Sequence, residues 1–125
     1  MQRPEKELQN LRPNIPTETE KAGELESFQN DVLRPILKFQ HDLFVADAKA
    51  NPLMKRCFQK DTIDEKRVEL KNFFAKNAAS KYAFIGMISG LMTSEEFSYY
   101  LSEKATFDKR LSSMLIERLI DGMQW

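Results

Sequence analysis

One histidine, one cysteine and one pair of adjacent glutamates are the residues of this chain whose types first suggest chemistry. The pair His41-Asp42 resembles the dipeptide of metal-dependent phosphohydrolases, but that chemistry needs several histidines and a distant aspartate. No H-x-x-E-H, E-x-x-H or C-x-x-C spacing completes a metal site. We therefore predict neither a metal site nor a cofactor, and we interpret His41 as a structural or solvent-facing side chain.

The cysteine and the two glutamates do not form a catalytic set either. Cys57 has cationic neighbours, which lower the pKa of a thiol, but no second cysteine or histidine is placed to partner it. We predict a buried or idle thiol. Glu95 and Glu96 point about 100° apart on a helix, and the helix dipole explains acids in a first turn. The sequence thus predicts no catalytic residue.

Charge gives no overall preference for a polyanionic partner. Lys plus Arg and Asp plus Glu number 19 each, so no net field attracts nucleic acid or an anionic bilayer. The densest basic run could contact phosphate, but acidic residues interrupt it, which favours a solvated mixed face. The run consists of Lys55, Arg56, Lys60, Lys66, Arg67 and Lys71, and the interruptions are Asp61, Asp64, Glu65 and Glu69.

The elements that could position any site are organised around one uncharged stretch. No formal charge lies between Lys81 and Glu95, in a chain of which 30% is charged. The stretch is too short to span a membrane, so it predicts a buried core helix over Ser80–Met92, apolar nearly all round. With one cysteine and no apolar run of signal-peptide length, the sequence favours a cytoplasmic protein.

Small residues recur along this predicted helix at spacings of four, three and four: Ala79, Ala83, Gly86 and Gly90. They share one stripe of a helix. Two interior glycines cost about 1 kcal/mol each relative to alanine, a cost that the close approach of another helix would offset. We favour tight packing inside one subunit for this stripe, with a self-association surface as the alternative.

The longest amphipathic pattern runs from about Glu24 to Ala50 and keeps its phase across Pro35. Proline inside a helix removes a hydrogen bond and clashes with the preceding turn, so we predict one long helix with a bend. Two helices, with Pro35 at the first position of the second, are the alternative. The predicted buried stripe is Leu25, Phe28, Val32, Ile36 and Leu43, with Leu33, Leu37 and Phe44 beside it.

Start and stop signals divide the remaining chain. Asn51-Pro52 begins a short helix, and Thr62 caps a helix that runs to about Asn77. Thr93 begins another that ends near Lys104. The last helix is predicted from Thr106 to a C-cap at Gly122. Residues predicted to point inward from the Thr93 helix are Phe97, Tyr100 and Leu101.

These elements predict an all-α single domain, a bundle of four or five helices around the central apolar helix. Residues 1–22 hold three of the five prolines and few apolar side chains, so we predict a flexible N-terminal arm there and a helical domain over 23–125. A small-ligand pocket is possible where buried hydroxyls need partners, and its candidate residues are Tyr82, Tyr100 and His41.

One stretch of sequence points to a family. The run FQNDVLRPILKFQHDLF, Phe28–Phe44, resembles the leading segment of a small family of short bacterial all-helical proteins, and Thr93–Glu96 and Glu117–Leu119 are similar too. The likeness covers roughly the last hundred residues. Some members carry the label glyoxalase, so the resemblance implies an enzyme of that type as one alternative. It implies no site residue.

The leading hypothesis for function is a non-enzymatic interaction protein. The surplus of apolar helix surface predicts a homo-oligomer or a docked protein partner, and no membrane insertion. An enzyme of glyoxalase type and a small-ligand-binding helical domain are the alternatives.

Overall fold

Helices make up the folded chain in a computed structural model that describes residues 3–13 and 23–123. They are α1 (Glu5–Asn10), α2 (Glu24–Phe28), a π-helical segment (Gln29–Leu33), α3 (Arg34–Ala50), α4 (Pro52–Cys57), α5 (Ile63–Lys76), α6 (Ala78–Ser89), α7 (Ser94–Ser102) and α8 (Lys104–Gly122). The predicted all-α single-domain bundle is confirmed, with no strand in the described part. The described residues form seven helices when the run from α2 to α3 is counted as one, against the four or five expected for the bundle.

Side-chain caps set three of the helix starts. The Asn51 side chain accepts hydrogen bonds from two amides of α4, and Thr62 accepts one from Glu65 at the start of α5. Thr93 and Glu96 form a complete capping box at α7. These starts are as predicted. The last helix differs, since α8 begins at Lys104 without a side-chain cap instead of after Thr106.

The core lies between α3, α5, α6 and α8. α8 packs against α3 and α5, and α6 contacts all three. Phe84 of α6 lies edge-on to Phe44 of α3 and Phe74 of α5, with ring centroids 5.6 and 5.9 Å away. These aromatic contacts fix one side of α6 to the bundle. The largest fully buried side chains also include Phe107, Leu33, Ile36, Leu37, Met54, Leu70, Ile88, Met92, Leu111 and Leu115.

The rod from Glu24 to Ala50 passes Pro35 without interruption, as the one-helix interpretation predicted. The turn immediately before the proline is π-helical, and such a wider turn accommodates an extra residue. Most of the predicted stripe is buried: Phe28, Val32 and Ile36 are, and Leu37 and Phe44 beside it are 1% and 0% exposed. Leu43, predicted to be buried, is 53% exposed.

The central helix is enclosed on one side only, so the prediction of burial all round is wrong. Phe84, Ile85 and Ile88 are buried. The small-residue stripe faces solvent, as do Phe97 and Leu101 of α7, which were predicted to point inward. α6 ends at Ser89 instead of Met92.

Part of the predicted N-terminal arm packs on the body. Leu8 is buried, and Arg3 donates hydrogen bonds to the carbonyls of Gly90 and Met92, at 3.0 and 2.9 Å. Arg12 forms a two-pronged ion pair with Glu96, at 2.6 and 2.7 Å. Residues 14–22, over which a flexible arm was also predicted, and residues 124–125 lie outside the described ranges.

Candidate functional site

The outward face of α6 is the first candidate site. We define this outward face as Ala79, Tyr82, Ala83, Gly86 and Gly90, all of which are exposed. A Cβ atom built on Gly86 would meet nothing within 4 Å, so the described part of the chain has no atoms packed there. The stripe predicted to pack inside the subunit is therefore solvent-facing, and that expectation is wrong. Its alternative, a surface for self-association, stays a prediction.

This outward face is unusual because exposed helix faces normally carry charges. Lys81 is the one charged residue of α6 and is not part of this face, and the next charge along the chain is Glu95. The neighbouring part of α3 extends the apolar surface. Gln40 Nε2 donates a hydrogen bond to the Met87 carbonyl at 3.0 Å, which holds this part of α3 beside α6. On the same stretch of α3, Phe39 is 44% exposed and Leu43 is also exposed.

The side chains of a polar cluster at the junction of α6, α7 and α8 bond to one another. The Tyr100 hydroxyl donates to one oxygen of the buried Asp108 carboxylate, and Lys104 Nζ donates to the other at 2.5 Å. The Lys104 ammonium also lies 4.9 Å from the centroid of the Tyr82 ring. Burial and the bond to Asp108 raise the pKa of Tyr100 well above its ordinary value. The cluster is therefore a junction that fastens three helices together.

The three residues predicted to line one pocket are thus divided. Tyr82 and Tyr100 meet at Lys104, while His41 belongs to a different place. His41 lies on α3 against the last residue of α8, since a Cβ on Gly122 would be 2.6 Å from its Cε1 atom. The imidazole is half-buried and lines a cleft of about 440 Å³, which we call the α3–α8 cleft. Residues facing this cleft include Arg34, Leu37 and His41 from α3, and Met114, Arg118 and Asp121 from α8.

The electrostatics of the α3–α8 cleft are set by its arginines. Glu117, at its edge, gives both carboxylate oxygens to Arg67, at 2.5 and 3.1 Å. Burial lowers the pKa of Arg118, the carboxylate of Asp121 raises it, and Arg34 lowers it again, so that the net pKa lies below the ordinary value. His41 Nδ1 is shielded from solvent and has no hydrogen-bond partner among the described residues.

Sequence reasoning missed the arginines of this cleft. Arg34 and Arg118 lie in distant parts of the chain and are brought together only by the packing of α3 on α8. One signal was available, since Arg118 follows Leu111 and Leu115 at helical spacing on an otherwise apolar stripe. A cation at such a position predicts a partly buried charge.

Cys57, which was also singled out by its residue type, lies in surroundings that indicate a structural role. Cys57 is buried, as predicted, and its thiol donates to the Leu53 carbonyl at 3.5 Å. Burial and the charge of Glu69 raise its pKa, which disfavours the reactive thiolate. Within residues 3–13 and 23–123, no group of three or more His, Cys, Asp or Glu side chains is placed to hold a metal ion.

Comparisons with known proteins return no relative. No family model matches the chain, and no curated protein and no solved structure matches it. The resemblance to the small bacterial family and the glyoxalase alternative that it implies therefore stay predictions. No helix of the described part is long and apolar enough to cross a membrane.

Proposed function

We propose that this protein is a helical interaction protein that forms a twofold homodimer through the outward face of α6. The observation that carries the proposal is an uncharged, small-residue helix face exposed on a chain rich in charge. Contiguous exposed apolar surface on a globular protein marks an interaction site more often than scattered apolar residues do. We also propose a cytoplasmic location, in keeping with a single buried thiol and charged residues of both signs.

Small side chains favour a helix as the occupant of this face. With only hydrogen or methyl groups at Ala83, Gly86 and Gly90, a second helix can approach to the lower end of the usual 8–10 Å axis separation. Close approach brings backbone atoms of the two helices into van der Waals contact. Burying this face removes apolar surface from water, which stabilises the pair by about 25 cal/mol for each Å² of apolar surface buried.

The spacing of the small residues favours a second copy of the same chain. The intervals of four, three and four read identically in both directions along α6. In an antiparallel pair, Ala79 of one copy faces Gly90 of the other, and Ala83 faces Gly86. A twofold interface requires such self-complementarity, because each surface meets its own copy. The five residues of the face carry no charge that would repel an identical surface, and the Arg3 guanidinium lies at its end, bonded to the Gly90 carbonyl.

One helix face alone is small beside the roughly 800 Å² per partner of a standard interface. Tyr82 gives the face its one large side chain, and Phe39 and Leu43 are exposed on the stretch of α3 that Gln40 holds beside α6. We therefore expect a concentration-dependent dimer, toward the weak end of specific interfaces.

Sedimentation equilibrium over a wide concentration range tests the proposal. We expect the wild-type chain to associate to a dimer and Gly86→Leu to remain monomeric, because a leucine there blocks close approach. The variant should stay folded, since a Cβ at Gly86 has open space around it. Gly23→Leu is the matched control, because its Cβ also meets nothing within 4 Å and it lies at the start of α2.

Two outcomes would contradict the dimer. One is a wild-type chain that sediments as a monomer at every concentration. The other is a Gly86→Leu variant that retains wild-type helicity and dimerises with wild-type affinity, which would place the interface elsewhere.

A further inference from the structure

We infer that the α3–α8 cleft binds a small organic phosphate, with Arg34 and Arg118 as the groups that hold its phosphoryl oxygens. This site is separate from the outward face of α6 and does not depend on the dimer. The inference rests on three features of the cleft: two guanidinium groups that form no ion pair within the described residues, apolar walls and the ring of the only histidine.

Arg34 and Arg118 line the same cleft, and neither holds a carboxylate of the described chain. Both line the cleft, and their proximity is evident in the effect of Arg34 on the pKa of Arg118. Within the described residues neither guanidinium forms an ion pair, whereas Arg12 and Arg67 each hold a carboxylate. Guanidinium groups match the geometry of phosphate oxygens through paired N–H donors. Two such groups suit a doubly charged anion better than a singly charged one.

The acids of the cleft lining compensate this positive pair only in part. Glu117 lines the cleft, but both oxygens of its carboxylate already accept hydrogen bonds from Arg67. Asp121 is the remaining acid in the cleft lining, and it is exposed. An anion between Arg34 and Arg118 therefore meets net positive charge and offsets the repulsion between the two cations.

The rest of the cleft suits an organic body. Leu37 and Met114 provide apolar lining for an aromatic or aliphatic group. The imidazole of His41 also lines the cleft, so a bound molecule lies against its ring. The volume of about 440 Å³ falls in the range of small-molecule sites and accommodates a single ring bearing a phosphate.

Titration of the full chain with phenyl phosphate tests this site. His41 is the only histidine, so its imidazole resonances in an NMR spectrum report on the cleft alone. We expect a saturable shift of these resonances and at least about tenfold weaker binding in Arg34→Gln and in Arg118→Gln. Arg34 is exposed, so its replacement tests binding even if the partly buried Arg118 also matters for folding.

Arg110→Gln is the matched control. It removes the same charge from the same helix as Arg118→Gln, but the Arg110 guanidinium donates to Gln29 at 2.9 Å and does not line the cleft. It should bind phenyl phosphate as the wild type does. The inference is overturned if His41 shows no saturable shift, if Arg110→Gln weakens binding as much as the cleft variants, or if benzoate binds as tightly as phenyl phosphate.

Discussion

At the level of single residues, two helical glycines illustrate how surroundings decide the effect of one methyl group. Gly86 lies in the interior of α6 and faces open space, whereas Gly122 ends α8 directly against His41. Neither has a positive φ angle, so backbone conformation does not require glycine at either place. The sequence marks both as glycine, but only the packing distinguishes an exposed position from a crowded one.

Alanine at these two positions should have opposite effects. Gly86→Ala should raise the free energy of unfolding by about 1 kcal/mol through helix propensity. Gly122→Ala should lower it by about 1 kcal/mol or more, because its Cβ would lie 2.6 and 2.8 Å from ring atoms of His41. Urea unfolding followed by circular dichroism at low protein concentration measures both values. If both substitutions raise the free energy of unfolding, the His41 ring moves away from the new methyl group at Gly122 without a measurable cost, and the prediction is wrong.

Residue types alone predicted less of the candidate sites than of the caps. Asn51, Thr62 and Thr93 act within three residues of themselves, so their roles follow from local sequence. His41 could be recognised as the only histidine, but its nearness to Gly122 and Arg118 depends on how α3 meets α8. Such long-range contacts have no signature in the spacing of residues along either helix.

At the level of elements, the ion pair between Arg12 and Glu96 helps to attach the segment around α1 to the start of α7, beside the hydrogen bonds of Arg3. Glu96 accepts from Arg12 and at the same time closes the capping box with Thr93. Burial raises the pKa of Glu96, but the hydrogen bonds and charge of Arg12, with those of Thr93, outweigh it and leave the pKa below its ordinary value. The ionised carboxylate is therefore the form that the folded state prefers.

Acid should loosen α1 before it unfolds the bundle. Because the folded pKa of Glu96 is depressed, its contribution is complete above the ordinary glutamate pKa of about 4.3 and is lost as the pH falls through the lower folded value. The protection of the amides of residues 3–13 against hydrogen exchange, relative to their intrinsic rates, should fall over that range. In Glu96→Gln, protection of this segment should already be low at neutral pH, and its pH dependence should flatten.

Glu95→Gln is the control for this experiment, because Glu95 is exposed and lies outside the pair with Arg12. Equal protection of residues 3–13 in Glu96→Gln and in the wild type would show that Leu8 and the bonds from Arg3 hold α1 without the ion pair.

Helix boundaries could be predicted where a local cap exists and not elsewhere. α8 begins without a side-chain cap, so no residue near Lys104 announces its start. The docking of residues 3–13 was equally hidden, because its bonds join parts of the chain more than seventy residues apart. Pro35 predicted a change in the helix near that position, but it did not predict that the change would be a π-helical turn.

At the level of the whole molecule, self-association should appear as a dependence of thermal stability on concentration. If folded dimers form, mass action raises the melting temperature as the protein concentration increases. We expect a rise of a few degrees over a hundredfold range for the wild type. Scanning calorimetry should show no rise for Gly86→Leu, while Gly23→Leu should follow the wild type. A rise of the same size in Gly86→Leu would contradict an interface on the outward face of α6.

The fold class could be predicted from the sequence, but the buried side of its central helix could not. α6 carries apolar or small residues in nearly every direction, so its sequence has no polar side to mark the surface. Which half is covered is decided by where α3, α5 and α8 pack, and that depends on contacts far apart along the chain. An amphipathic helix would have revealed its orientation, and this one does not.

The π-helical segment at Gln29–Leu33 makes this part of the protein sensitive to changes in chain length. Deleting one residue there would restore an ordinary α turn and swing everything before it by about 100° around the rod axis. Phe28, whose ring centroid lies 4.8 Å from that of Phe107 and 5.0 Å from that of Tyr99, would lose both neighbours. An insertion or deletion at this point therefore moves the Phe28 ring out of its aromatic contacts, whereas many single substitutions nearby would leave that ring in place.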